Sequence, residues 1–145
     1  MSYTTWHNYG RGICTDDITV YNVLRLHKLL ELAPQFQTEV QSWLLERDIA
    51  SPTWEDYMDY DCDYELGLAT ILQKVIEEAE GISLTACDNY DGITYLLYQA
   101  KFPWQITDTE RGLTEDKLTE MFNRYVGILT DEAVPVEEQS VENGG

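Results

Sequence analysis

A chain of 145 residues with 43% hydrophobic and 12% aromatic content has the material for one core, which argues against global disorder. Twenty-seven acids against nine Lys and Arg leave a net charge of -18, well beyond the magnitude of roughly 2–8 that suffices for a soluble small domain. Such a charge argues against direct binding to nucleic acid or to an anionic membrane, both of which need a basic surface.

Like charges destabilise a compact state by self-repulsion, so a halophilic setting or a cationic partner is expected to offset the cost. Cys14, Cys62 and Cys87 are an odd set without a C-x-x-C motif and without a preceding signal peptide, which predicts reduced thiols in a cytoplasmic protein. No apolar run approaches the roughly 20 residues of a membrane-spanning helix.

In chain order, Tyr3 to Tyr9 has the Thr and aromatic content of a strand, which Gly10 and Gly12 are expected to break at a bend or bulge. The G-x-G lacks the third glycine of a dinucleotide fingerprint. Asp16, Asp17 and Thr19 offer N-caps for a helix over 19–32, whose apolar face is Val20, Val23, Leu24, Leu26, Leu29, Leu30 and Leu32. Pro34 suits the first turn of a second helix through Asp48, burying Phe36, Val40, Trp43, Leu44 and Leu45.

Thr53 reads as an N-cap with Asp56 at the capping-box position, followed by a short helix over 54–60. A longer helix over 64–80 ends at Gly81, a natural C′ stop. Residues 82–87 and 93–99 alternate like strands around Asp88-Asn89-Tyr90-Asp91-Gly92, which predicts a β-hairpin. Thr114 caps a last helix over 115–129, and 133–142 reads as an edge strand because Pro135 is tolerated there. The expected fold is α+β: a small antiparallel sheet including the 82–99 hairpin, with four to five helices packed on one side. One domain over 1–142 and a flexible end over 143–145 complete it.

The densest feature is Trp54 to Glu65. It carries the acids Glu55, Asp56, Asp59, Asp61, Asp63 and Glu65, interleaved with Trp54, Tyr57, Tyr60 and Tyr64, and no Lys or Arg. Disordered acidic tails are poor in aromatics, so this stretch belongs to a folded surface. Asp59, Asp61, Asp63 and Glu65 imitate alternate ligands of a calcium loop, but the sixth position is Tyr64 and the twelfth Thr70, where that loop needs Gly and Glu. No cofactor or metal motif is present. His7 and His27 are read as structural, although Cys14 with a His and an Asp can be drawn as a hydrolase triad.

Two further acid groups follow: Glu77, Glu78, Glu80, Asp88 and Asp91, then Asp131, Glu132, Glu137, Glu138 and Glu142. Carboxylates four apart on a helix rise about 6 Å and can meet the rows of Lys and Arg with which a protein grips a duplex. The rings between them can stack on arginine. The plainer alternative is a solvated acidic face with its rings buried.

With Trp54 to Glu65 as its acidic-aromatic segment, and with Tyr3-Thr4-Thr5-Trp6-His7-Asn8-Tyr9-Gly10 and Asp88-Asn89-Tyr90-Asp91-Gly92 beside it, the chain resembles small DNA-mimic inhibitors of phages and mobile elements, best known among anti-CRISPR proteins. The resemblance is one of composition and style. It implies a non-enzymatic inhibitor in the host cytoplasm that occupies the basic nucleic-acid site of a defence protein such as a Cas nuclease. The contact residues expected are Glu55, Asp56, Tyr57, Asp59, Tyr60, Asp61, Asp63 and Glu65. An adaptor docking through an apolar patch, and a small hydrolase, are the alternatives.

Overall fold

The computed structural model describes residues 5–61, 66–99 and 101–144. Strand β1 (Thr5–Cys14) leads through a 3₁₀ turn (Thr15–Asp17) to α1 (Val23–Leu30), α2 (Pro34–Glu46) and α3 (Trp54–Met58), which continues as a second 3₁₀ turn (Asp59–Asp61). Then come α4 (Leu68–Glu80), the hairpin β2 (Thr85–Asp88) and β3 (Thr94–Tyr98), α5 (Glu115–Leu129) and β4 (Glu137–Gly144). The strands form one antiparallel sheet in the order β2-β3-β1-β4. The fold is α+β, as the alternation of the sequence leads one to expect.

Helices cover one face of this sheet. Ile13 and Leu96 point from it into a core with Leu26, Leu29, Leu72, Val75 and Phe122, all fully buried. Arg11, on the same face, spans three elements. Its guanidinium lies 3.4 Å from Glu115 of α5 and 3.2 Å from Glu138 of β4, and it donates to Thr119 Oγ1 and the Val136 carbonyl.

The opposite face curls. Cys87 of β2, Leu97 of β3 and Val141 of β4 form a second buried cluster with Tyr95 packed against it, and the edge strands β2 and β4 approach within 8 Å. This curl explains Gly10 and Gly12. A Cβ on Gly12 would stand 1.9 Å from the Leu96 carbonyl oxygen, and one on Gly10 would stand 2.4 Å from that of Tyr98. The glycines therefore let β1 and β3 close together within a continuous strand; they do not break it.

Other boundaries move for local reasons. Helix α1 starts at Val23 and not at 19, because the Asn22 side chain accepts from the Leu24 and Arg25 amides. Asp16 and Asp17 sit instead in the 3₁₀ turn, and Val20, Leu24, Leu32 and Leu45, expected inside, are exposed. Helix α2 ends at Glu46, short of Asp48. The Thr53–Asp56 capping box and the left-handed Gly81 (φ 70°) are present as expected. Helix α4 begins at Leu68, and residues 64 and 65 lie outside the described residues. Pairing of Asn143 with Trp6 and Gly144 with Thr5 carries β4 two residues past the expected boundary at 142; Gly145 lies outside the described residues.

Candidate functional site: an acidic end of the molecule

Acids from separate segments meet where β1 ends. Thr94, the first residue of β3, pairs with Asp88 of β2 and donates through its hydroxyl to Asp16 Oδ1 at 3.0 Å. The hairpin connection that follows Asp88 carries Asp91 and is shaped by Asn89, whose side chain accepts from the Asp91 and Ile93 amides. Gly92 completes it at φ 78°.

The C-terminal end of α5 reaches the same region: Thr19 donates to Glu132 at 3.2 Å, and Arg25 binds Asp131 at 2.8 Å. Helix α3 borders it as well, because the Tyr21 ring leans on Trp54 with centroids 5.3 Å apart. Exposed Glu55 and Asp59 flank that helix. Asp16, Asp17, Asp91, Asp131 and Glu132 are exposed too, so four stretches distant in the chain present carboxylates at one end.

A cavity of 520 Å³ opens beside Asp16, the one of these acids that lines it; Thr15, Tyr21, Trp54, Met58 and Thr94 are among its other walls. A second cavity of 520 Å³, lined by Trp43, Tyr60, Thr70, Gln73 and Lys74, lies on the other side of Leu66, which borders both.

The structure divides the expected contact residues. Glu55 and Asp59 face solvent. Asp56 is engaged locally: its carboxylate accepts from the Thr53 amide at 2.8 Å and from the Thr53 hydroxyl at 3.1 Å. The rings turn inward. Tyr57 is only 6% exposed and shares a 2.8 Å hydrogen bond with His27 Nε2, and burial, with Asp56 adding to it, pushes its phenol pKa up. Tyr60 is half-buried, edge-on to both Phe36 and Trp43. The Asp61 side chain and all of Asp63 and Glu65 lie outside what is described. Tyr64 does too, while Tyr90, on the hairpin connection, is exposed.

Among the described residues, Cys14 and His7 are not brought together. Burial, reinforced by Asp17 and Asp16, pushes the Cys14 thiol pKa up, and burial with Asp88 pushes that of Cys87 up to about 11. Both therefore remain protonated, the reverse of an activated thiolate. His7 lies seven residues from Cys14 on the same extended strand, roughly 23 Å away, and bonds to the Ser140 hydroxyl. Among the described residues no three His, Cys, Asp or Glu side chains converge to hold a metal.

A different feature stands in the loop after β3. Phe102 and Trp104 stack in parallel with centroids 4.8 Å apart, and Trp104 is 79% exposed. Further along the same loop Glu110 is buried, ion-paired to Lys101 and hydrogen-bonded by Tyr98 and Thr107. The Phe102 amide donates to the Gln105 side chain. Nothing local in the sequence marks this pair, because two aromatics flanking a proline look the same whether they sit in a core or on a surface.

Comparison with known proteins finds no match to this chain among family models, curated proteins or solved structures.

Proposed function

We propose that this protein is a non-enzymatic inhibitor that occupies the basic nucleic-acid-binding site of a host defence protein, in the manner of DNA-mimic anti-CRISPR proteins, with a Cas nuclease as the foremost target. The observation that carries the reading is the gathering of Asp16, Asp17, Asp91, Asp131 and Glu132 at one end of the fold, with exposed Glu55 and Asp59 on the segment that borders it. Arg25, a cation beside them, is tied to Asp131. A folded array of carboxylates meets a Lys/Arg-lined groove without the ordering entropy that a disordered acidic chain would lose, and complementarity of this kind raises the encounter rate and the salt dependence together.

The contacting acids in this reading are Glu55 and Asp59 from the acidic-aromatic segment, joined by acids outside it. Tyr57 and Tyr60 support that surface from beneath. The test is displacement of duplex DNA from a purified Cas nuclease–guide complex, at low and at moderate salt. Displacement that weakens steeply with salt, and is lost when Asp16, Asp17, Glu55, Asp59 and Asp91 are neutralised together, supports the reading. Displacement by the neutralised variant at undiminished strength sinks it.

A second reading, an adaptor docking through an apolar patch, is favoured by the exposed Phe102–Trp104 pair, since large rings on a braced loop are typical anchors of protein interfaces. Binding of that kind resists salt.

A further inference from the structure

The cavity at the acidic end has the chemistry of a receptor for one particular side chain. Its lining sets one carboxylate, two hydroxyls and two rings (Asp16, Thr15, Thr94, Tyr21 and Trp54) among apolar side chains and two glycines. Tyr21 leans on Trp54 at an interplanar angle of 34° and is still 64% exposed, so much of its ring remains open. Asp16 is held by the Thr94 hydroxyl on Oδ1, which fixes the carboxylate in the wall of the cavity that Tyr21 also lines. Thr15 Oγ1 in turn bonds to the Thr94 carbonyl and hydroxyl.

We propose that this cavity accepts an arginine side chain of the partner, its guanidinium stacking on Tyr21 and donating to Asp16. The partner's basic character rests on the function proposed above; the choice of arginine rests on the cavity. A guanidinium is planar and weakly hydrated, so it lies flat on a ring while its edge donates to a carboxylate; the compact, strongly hydrated lysine ammonium makes both contacts less well and without the planar stacking. The same chain already uses such a contact internally, with the Arg47 guanidinium 4.0 Å over the Trp43 ring. The surrounding field of Asp17, Asp91 and Glu132 favours a cation at this place over any neutral group.

The experiment is a titration of the whole protein with N-acetyl-arginine amide, followed by amide chemical shifts. The neutral isostere N-acetyl-citrulline amide and N-acetyl-lysine amide are the controls. Arginine is expected to give saturable shifts confined to residues 15–21 and 92–94, and citrulline none. Asp16→Asn, which keeps the acceptor for Thr94, and Tyr21→Ala should each weaken binding about tenfold, while Tyr21→Phe should preserve it. Shifts that spread over the acidic surface without saturating, that are equal for citrulline, or that persist in both weakening variants overturn the proposal. Saturable arginine binding by a protein that inhibits no basic partner leaves the cavity standing and removes the surface reading. Inhibition unchanged by both Asp16→Asn and Tyr21→Ala removes the cavity's part in it and leaves the surface reading.

Discussion

Asp56 and Thr53 hold each other: the Thr53 amide donates to Asp56 Oδ2 at 2.8 Å, and the Asp56 amide donates back to Thr53 Oγ1 at 3.3 Å. This reciprocal pair separates Asp56 from its neighbours Glu55 and Asp59, which are exposed. Asp56→Ala should therefore destabilise the fold by about 1 kcal/mol, the usual cost of a lost helix cap. Glu55→Gln and Asp59→Asn should stay within about 0.5 kcal/mol. Urea unfolding of the three variants checks this.

Glu110 makes acid stability a local property. Burial alone would raise its pKa, but hydrogen bonds from Lys101, Thr107 and Tyr98 and the Lys101 charge outweigh that and hold it below the ordinary carboxylate value. A carboxylate depressed in the folded state contributes stability that is present above its unfolded pKa, about 4.3. That contribution is lost as pH falls through the folded value. The urea midpoint should thus drop more steeply below about pH 4.3 in the wild type than in Glu110→Gln. At neutral pH the same variant should lose about 2–4 kcal/mol, because Lys101 is left half-buried without its partner.

Glycines provide a matched pair of tests. Gly12→Ala forces a methyl against the Leu96 carbonyl and should cost at least about 3 kcal/mol or prevent folding, since backbone cannot yield as a flexible side chain does. Gly127 lies in α5 with nothing within 4 Å of an added Cβ. Gly127→Ala should stabilise the protein by about 0.5–1 kcal/mol through helix propensity. Thermal unfolding of both variants reads the contrast.

The aromatic loop separates the two functional readings. Trp104→Ala removes an exposed ring and should leave the unfolding free energy within about 0.5 kcal/mol of wild type. It should also leave salt-sensitive inhibition intact if the acidic end is the binding surface. Loss of partner binding in Trp104→Ala, measured with the stability unchanged, would assign the interface to the loop.

Much of the architecture was legible in the chain. Thr114 before an apolar 3.6-residue pattern placed α5 at Glu115–Leu129, and turn chemistry between two alternating runs placed the hairpin. Other features were not, and for physical reasons. Asp16, Asp17, Thr19 and Asn22 are all good N-cap residues, so composition could not choose Asn22. A glycine signals equally a chain break or the close approach of two strands, and only the Leu96 and Tyr98 carbonyls decide between them at Gly10 and Gly12. In the candidate site, the density of carboxylates pointed to α3. The neighbours that complete it, Asp16 and Tyr21, come from a segment that reads locally as the start of a helix. The inward turn of Tyr57 and Tyr60 depends on His27, Phe36 and Trp43, which are partners that no local pattern reveals.

The most direct test of the central claim is capture on immobilised protein from lysate of cells that carry nucleic-acid-targeting defence systems. Wild type is compared with the variant neutralised at Asp16, Asp17, Glu55, Asp59 and Asp91, with elution by salt and then by duplex DNA. The account predicts that wild type retains a nucleic-acid-binding protein at low salt and releases it to either eluent, and that the neutralised variant retains none. Retention of the same protein by the neutralised variant, or a captured partner that withstands both salt and DNA, would contradict it.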